Sequence, residues 1–98
     1  MIPTNFKIAG GKEIQVNIVE NINDGKDFGV FNDATNIIKI ANKVRVEDDW
    51  YNQTEEDMER TYLHELFHVF QFYSGKDFDE MEAQMFSNFM YEYNKTKK

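Results

Sequence analysis

The chain has 98 residues and a 41% apolar composition that includes nine Phe, five Tyr and one Trp, which suits one globular domain with a single modest core and excludes a disordered chain. Its net charge of −7, from 11 basic and 18 acidic residues, argues against phosphate-driven nucleic-acid binding and against docking on an anionic membrane. The absence of cysteine removes disulfides and thiolate metal sites, so any metal must be held by His and carboxylate, a composition compatible with a cytoplasmic protein.

No apolar run approaches the roughly 20 residues of a membrane span. The opening stretch from Met1 to Lys7 lacks the basic and apolar regions of a signal peptide.

From Phe6 to about Val46 the apolar residues alternate or cluster in short runs: Phe6 and Ile8; Ile14, Val16 and Ile18; Phe28, Val30 and Phe31; Ile37, Ile38 and Ile40. These runs predict strands. Gly10-Gly11, Asn23-Asp24-Gly25 and the stretch from Asn32 to Asn36 supply turn residues between them, giving a meander of three or four short strands. Residues 42–53 are mostly polar and are expected to form a connection with a helical turn.

Thr54 followed by Glu55, Glu56 and Asp57 marks a helix start, and Gly75 marks its stop, so a helix is expected over 54–74. Asp77, Asp79 and Glu80 open a second helix, expected over 78–93, before a polar tail. With no internal repeat and no linker, residues 1–98 are expected to form one α+β domain: a small antiparallel sheet of three to four strands, then an active-site helix, then a glutamate-bearing helix.

The chain's two histidines, His64 and His68, lie four apart with Glu65 after the first, an H-E-x-x-H motif inside the first helix. Chance alone produces it roughly once in 500 chains of this composition. The spacing stacks both imidazoles on one helix face, about 5 to 6 Å apart at Cβ, where they can share a metal ion. Glu65 is turned about 100° away and is placed instead to act as a general base on a water. Tyr62, Leu63, Leu66, Phe67, Val69, Phe70 and Tyr73 fill most of the remaining circumference, so the helix is expected to be buried with the histidines at the core's edge. Buried imidazoles satisfied by hydrogen bonds alone are the structural alternative.

A hydrolytic zinc site usually takes three protein ligands. On the second helix Glu82 falls in the middle of an apolar stripe with Phe78, Ala83, Met85, Phe86, Phe89, Met90 and Tyr93, while Glu80, Gln84, Ser87 and Asn88 form the opposite, solvated face. A carboxylate on a buried stripe calls for a cation, so Glu82 is expected to be the third metal ligand. A salt bridge to Arg45, Arg60 or a lysine is the alternative. An antiparallel pair of helices would set Glu82 level with the histidines.

His64, Glu65, His68 and Glu82 resemble the pattern of the zincin metallopeptidases of gluzincin type, in which a later helix supplies a glutamate ligand. Length and layout also resemble minimal single-domain gluzincins and small peptidase-like proteins of phage and mobile elements. The resemblance implies one Zn2+ per chain, held by His64, His68 and Glu82, and hydrolysis of a peptide or protein substrate with Glu65 taking the proton of the attacking water. It also implies a sheet-edge strand that holds the substrate, for which Phe28 to Phe31 or Asn36 to Ile40 are the candidates. Larger relatives carry a further His or Tyr at the oxyanion; no histidine remains here for that role, and Tyr62, Tyr73, Tyr91 and Tyr93 are the candidate substitutes, with core packing as the alternative for each. A non-catalytic, zinc-stabilised interaction module is the competing expectation.

Overall fold

The computed structural model describes residues 2–98. The fold is α+β, with six strands followed by two helices: β1 (Asn5–Lys7), β2 (Glu13–Val19), β3 (Gly29–Asn32), β4 (Ile37–Ala41), β5 (Lys43–Val46), β6 (Asp49–Asn52), α1 (Glu55–Tyr73) and α2 (Glu80–Thr96). The turns fall where the glycines and asparagines predict them, and Gly10, Gly11, Asn23, Asp24, Gly25 and Asn36 all take positive φ.

The four-stranded sheet runs β1-β2-β4-β3 and is mixed, which corrects the expected antiparallel meander. β1 and β3 pair antiparallel with their neighbours, but β2 and β4 are parallel, with Val16 opposite Ile38 and Ile18 opposite Ile40. The reason lies in burial: Ile38, Ile40 and Ala41 are buried together, so β4 takes the middle of the sheet beside Ile14 and Val16. The connection after β2 therefore carries the chain past that position, and β3 becomes the outer edge.

Residues 43–52, expected as a connection, form a second sheet, the antiparallel hairpin β5-β6. Its turn is Glu47-Asp48, both at positive φ, a conformation usually announced by Asn-Gly or Asp-Gly. Arg45 pairs with Asp24 at 2.6 Å and lies over the Trp50 ring, tying the hairpin to the turn before β3. A Cβ on Gly25, whose φ is +82°, would sit 2.8 Å from the Trp50 ring, so the hairpin can close on that turn only because the residue is glycine.

α1 begins with a complete capping box: the Thr54 side chain accepts from the Asp57 N–H, and the Asp57 carboxylate accepts from the Thr54 N–H. One face buries Tyr62, Leu63 and Val69 against Ile14, Val16, Phe31, Ile38 and Ile40. Another face packs against α2, where Ala83 and Ser87 are fully buried and let the two helices approach closely. Among the described residues, no helix is long and apolar enough to cross a membrane.

Candidate metal centre

The contact of α1 with α2 decides the site. His64 and His68 stack on one face of α1 with ring centroids 4.9 Å apart, as the four-residue spacing predicts. His68 is nearly buried and lies flat against Phe78, at 4.7 Å between centroids. Glu80 reaches across from the first turn of α2: its Oε1 lies 3.1 Å from His64 Nε2 and its Oε2 lies 2.6 Å from His68 Nε2.

Glu82 does not join them. It is exposed, and its backbone N–H caps the helix on Asp79 Oδ1. Residues 80 and 82 point about 200° apart around a helix, so only one of them can face α1. The polar flank of α2 wins because it has partners there: Glu80 and Gln84 meet His64, and Asn88 meets Arg60 at 2.7 Å. Of the expected apolar stripe, Ala83, Phe86 and Met90 pack inward, whereas Met85, Phe89 and Tyr93, together with Met81, face outward. The signal for Glu80 was available as an i, i+4, i+8 polar row that matches the polar row of α1, but it reads equally as a solvated face.

Two chains of hydrogen bonds fix which ring nitrogens carry hydrogen. The Asp79 backbone N–H can only donate, and it donates to Gln71 Oε1, so that oxygen accepts from His68 Nδ1–H at 2.8 Å as well. Arg60 can only donate, and it donates to Asn88 Oδ1, which also accepts from the Gln84 amide nitrogen. Gln84 therefore turns its oxygen to His64, and Nδ1–H of His64 donates to it. Each Nε2 then faces the Glu80 carboxylate, which accepts from it while it carries a hydrogen; a metal would take that hydrogen's place.

Glu65 is buried on the sheet side of the same pair, and His64, Glu65 and His68 offer ligand atoms that all lie within 4.8 Å of one another. Burial is the main influence on its carboxyl and raises its pKa. The charges of His68 and His64 oppose that rise, Glu80 adds to it, and the Phe31 backbone N–H donates to the carboxylate and lowers it. Burial also acts to raise Glu80, but the hydrogen bond with His64 and the charges of both imidazoles outweigh it and hold that carboxyl below the usual range.

The donor set fits zinc. In a tetrahedral site with bonds of about 2.0 to 2.1 Å, neighbouring ligand atoms lie about 3.3 Å apart; His64 Nε2 and Glu80 Oε1, at 3.1 Å, are close to that, while His68 Nε2 and Glu80 Oε2, at 2.6 Å, would have to separate by about 0.7 Å to admit the ion. Two neutral imidazoles and one carboxylate also make the His2Glu set of hydrolytic zinc sites.

Set against protein-family models, curated proteins and solved structures, the chain matches none. What the centre can do is therefore read from its own geometry.

A cleft of about 560 Å3 opens over the centre, with Phe28, Gly29, Gln53, Thr61, His64, Glu65, Glu80 and Gln84 in its walls and Lys26 and Arg60 as its cations. None of the four tyrosines considered for the oxyanion lines it. Tyr62 packs edge-on against Phe6 with its phenol pushed up to about 12 by burial, Tyr73 bonds Asn36, Tyr91 donates to Glu56 at 2.8 Å, and Tyr93 is exposed.

Gly29 sets how closely α1 lies on β3. A Cβ there would come 2.5 Å from Thr61 Cγ2 and 3.3 Å from Glu65 Cγ. Gly29→Ala is expected to destabilise the fold by about 1 to 3 kcal/mol as α1 is pushed off the strand, seen as a lower denaturant midpoint at unchanged slope. A midpoint within error of wild type would show that α1 tolerates the shift.

Gln71 holds the His68 ring and the N-terminus of α2 with one oxygen. Gln71→Leu keeps the bulk and removes that acceptor, and is expected to weaken zinc binding about 10- to 100-fold in a competition titration with a chromophoric chelator. Unchanged affinity would show that His68 needs no help in presenting Nε2.

Proposed function

We propose that this protein is a zinc-dependent peptidase whose metal ligands are His64, His68 and Glu80 and whose general base is Glu65. The observation that carries this reading is the convergence of two Nε2 atoms and one carboxylate beside a buried glutamate, with His64, Glu65 and Glu80 in the wall of an open cleft. Zinc bound there would supply the Lewis acid that polarises the scissile carbonyl and makes water acidic enough to lose a proton near neutrality.

The chain's own residues do the rest. Glu65, oriented by the Phe31 N–H, accepts the proton of the attacking water as its oxygen bonds to the peptide carbon. The same carboxyl then delivers that proton to the amide nitrogen as the C–N bond breaks. Of the two segments considered for holding a substrate strand, β4 is paired on both sides, while β3 keeps a free edge and its Gly29 lines the cleft. β3 is therefore the strand on which an extended peptide would add.

The test is zinc content by mass spectrometry on protein purified without chelator, with hydrolysis of an unfolded protein substrate before and after zinc removal. One zinc per chain and chelator-sensitive cleavage are expected. Metal-free protein that neither takes up zinc nor cleaves would overturn the reading.

The second reading, a zinc-stabilised interaction module without turnover, is favoured by one observation: no tyrosine reaches the cleft to steady an oxyanion. It predicts stoichiometric zinc, unfolding on chelation and no cleavage.

A further inference from the structure

Gln53 lines the cleft at the point where β6 hands the chain to α1. Every residue of β6 is exposed, yet Gln53, the next in the chain, is only 5% exposed. A buried amide is costly unless its hydrogen-bonding groups are used. Here Nε2 donates to the Ala41 carbonyl at 2.6 Å and to the Phe28 carbonyl at 3.2 Å, and Oε1 accepts from the Thr61 hydroxyl at 3.3 Å. Carbonyls only accept, so the amide has one orientation, and the Thr61 hydroxyl must be the donor.

Those partners belong to β4, to the residue that leads into β3, and to α1. The Ala41 N–H also donates to the Phe28 carbonyl at 2.9 Å, so Gln53 closes the end of the β3-β4 ladder. Backbone groups alternate along a strand, and with the Phe28 carbonyl turned to β4, Gly29 turns its N–H and C=O to the free edge, in the wall of the cleft. With its hydroxyl spent on Gln53, Thr61 presents its methyl to Gly29, where a Cβ would come 2.5 Å from Cγ2. Glu65, one turn further along α1, borders the same glycine, its Cγ 3.3 Å from that position.

We infer that Gln53 and Thr61 are positioning residues, which hold the free edge of β3 at the distance from α1 where a peptide bound to Gly29 comes within reach of Glu65. What the edge binds rests on the peptidase reading, but the clamp itself is independent of turnover. The hydrogen bonds of the pair run to Phe28, Ala41 and each other, and those of the metal centre run between α1 and α2, so zinc is held without the clamp.

The first measurement is amide hydrogen exchange by NMR. Gln53→Met keeps the length of the side chain and removes all of its hydrogen bonds, while Thr61→Val keeps the bulk of Thr61 and removes the bond to Gln53. Both variants are expected to speed exchange about tenfold or more at Ala41 and Phe31, whose N–H groups meet Phe28 and Glu65, and to leave Val16 and Val69 unchanged. Equal acceleration at all these amides, or none, would overturn the inference. Thr61→Val decides it should Gln53→Met fail to fold.

The second measurement is cleavage of a fluorogenic peptide of about eight residues, long enough to run past β3, with zinc affinity measured alongside. Thr61→Val is expected to raise KM about tenfold, with kcat changed less and zinc affinity unchanged, and Thr61→Ser, which keeps the hydroxyl, to recover most of the loss. An unchanged KM in Thr61→Val, or one that rises only with loss of zinc, would overturn the inference. A wild type that binds zinc and cleaves nothing would instead overturn the peptidase reading, and the exchange pattern would still decide the clamp.

Discussion

Glu80→Ala is expected to lose zinc, by more than about 100-fold in affinity, while Glu82→Ala binds as the wild type does. Removing a direct ligand should exceed the 10- to 100-fold cost of losing an outer-shell partner. Glu80 lies within 3.1 Å of both Nε2 atoms, and Glu82 points into solvent two residues away. The pair is a sharp comparison because each variant removes one carboxylate from the same turn of α2, so the change in net charge and in the helix N-terminus is nearly matched. The measurement is competition with a chromophoric chelator, with far-UV circular dichroism to confirm that α2 is intact. Zinc lost from Glu82→Ala and retained by Glu80→Ala would mean that α2 rotates about its axis when metal binds.

Glu65→Gln should keep its zinc and lose at least a hundredfold in turnover of an unfolded protein. The amide has the shape of the carboxylate and can still meet the Phe31 N–H with its oxygen, but it cannot accept a proton. Proton transfer of this kind contributes about 10²- to 10⁴-fold to a rate. Because burial raises the Glu65 carboxyl, it is a stronger base toward the attacking water than an exposed glutamate would be. Full activity in Glu65→Gln would remove the base from the mechanism, and zinc lost from this variant would instead make Glu65 a ligand.

The strand runs, the turns, the N-cap at Thr54 and the stop at Gly75 were legible because each depends on residues close in sequence: alternation, positive-φ residues, a capping oxygen three residues from its donor. The β5-β6 hairpin was missed for the same reason in reverse. Its turn uses Glu47-Asp48, and what holds it is the distant pair Arg45 and Asp24 with Trp50 against Gly25. The parallel pairing of β2 with β4 was missed because two strands of similar pattern can neighbour each other in either direction, and only the shared burial of Ile14, Val16, Ile38 and Ile40 selects one.

For the centre, the sequence by itself determined the two imidazoles and the glutamate between them, since a spacing of four on one helix sets their relation before anything else packs. Only the tertiary structure decided which carboxylate of α2 joins them. The phase of α2 against α1 depends on which flank finds partners, and periodicity registers that a face is apolar without registering what covers it. Here Ala83 and Ser87 allow close approach, and the polar row of Glu80, Gln84 and Asn88 meets His64, His68 and Arg60. Turning that row toward α1 is favourable because each polar group in it finds a partner there, and much of the apolar row is left facing out.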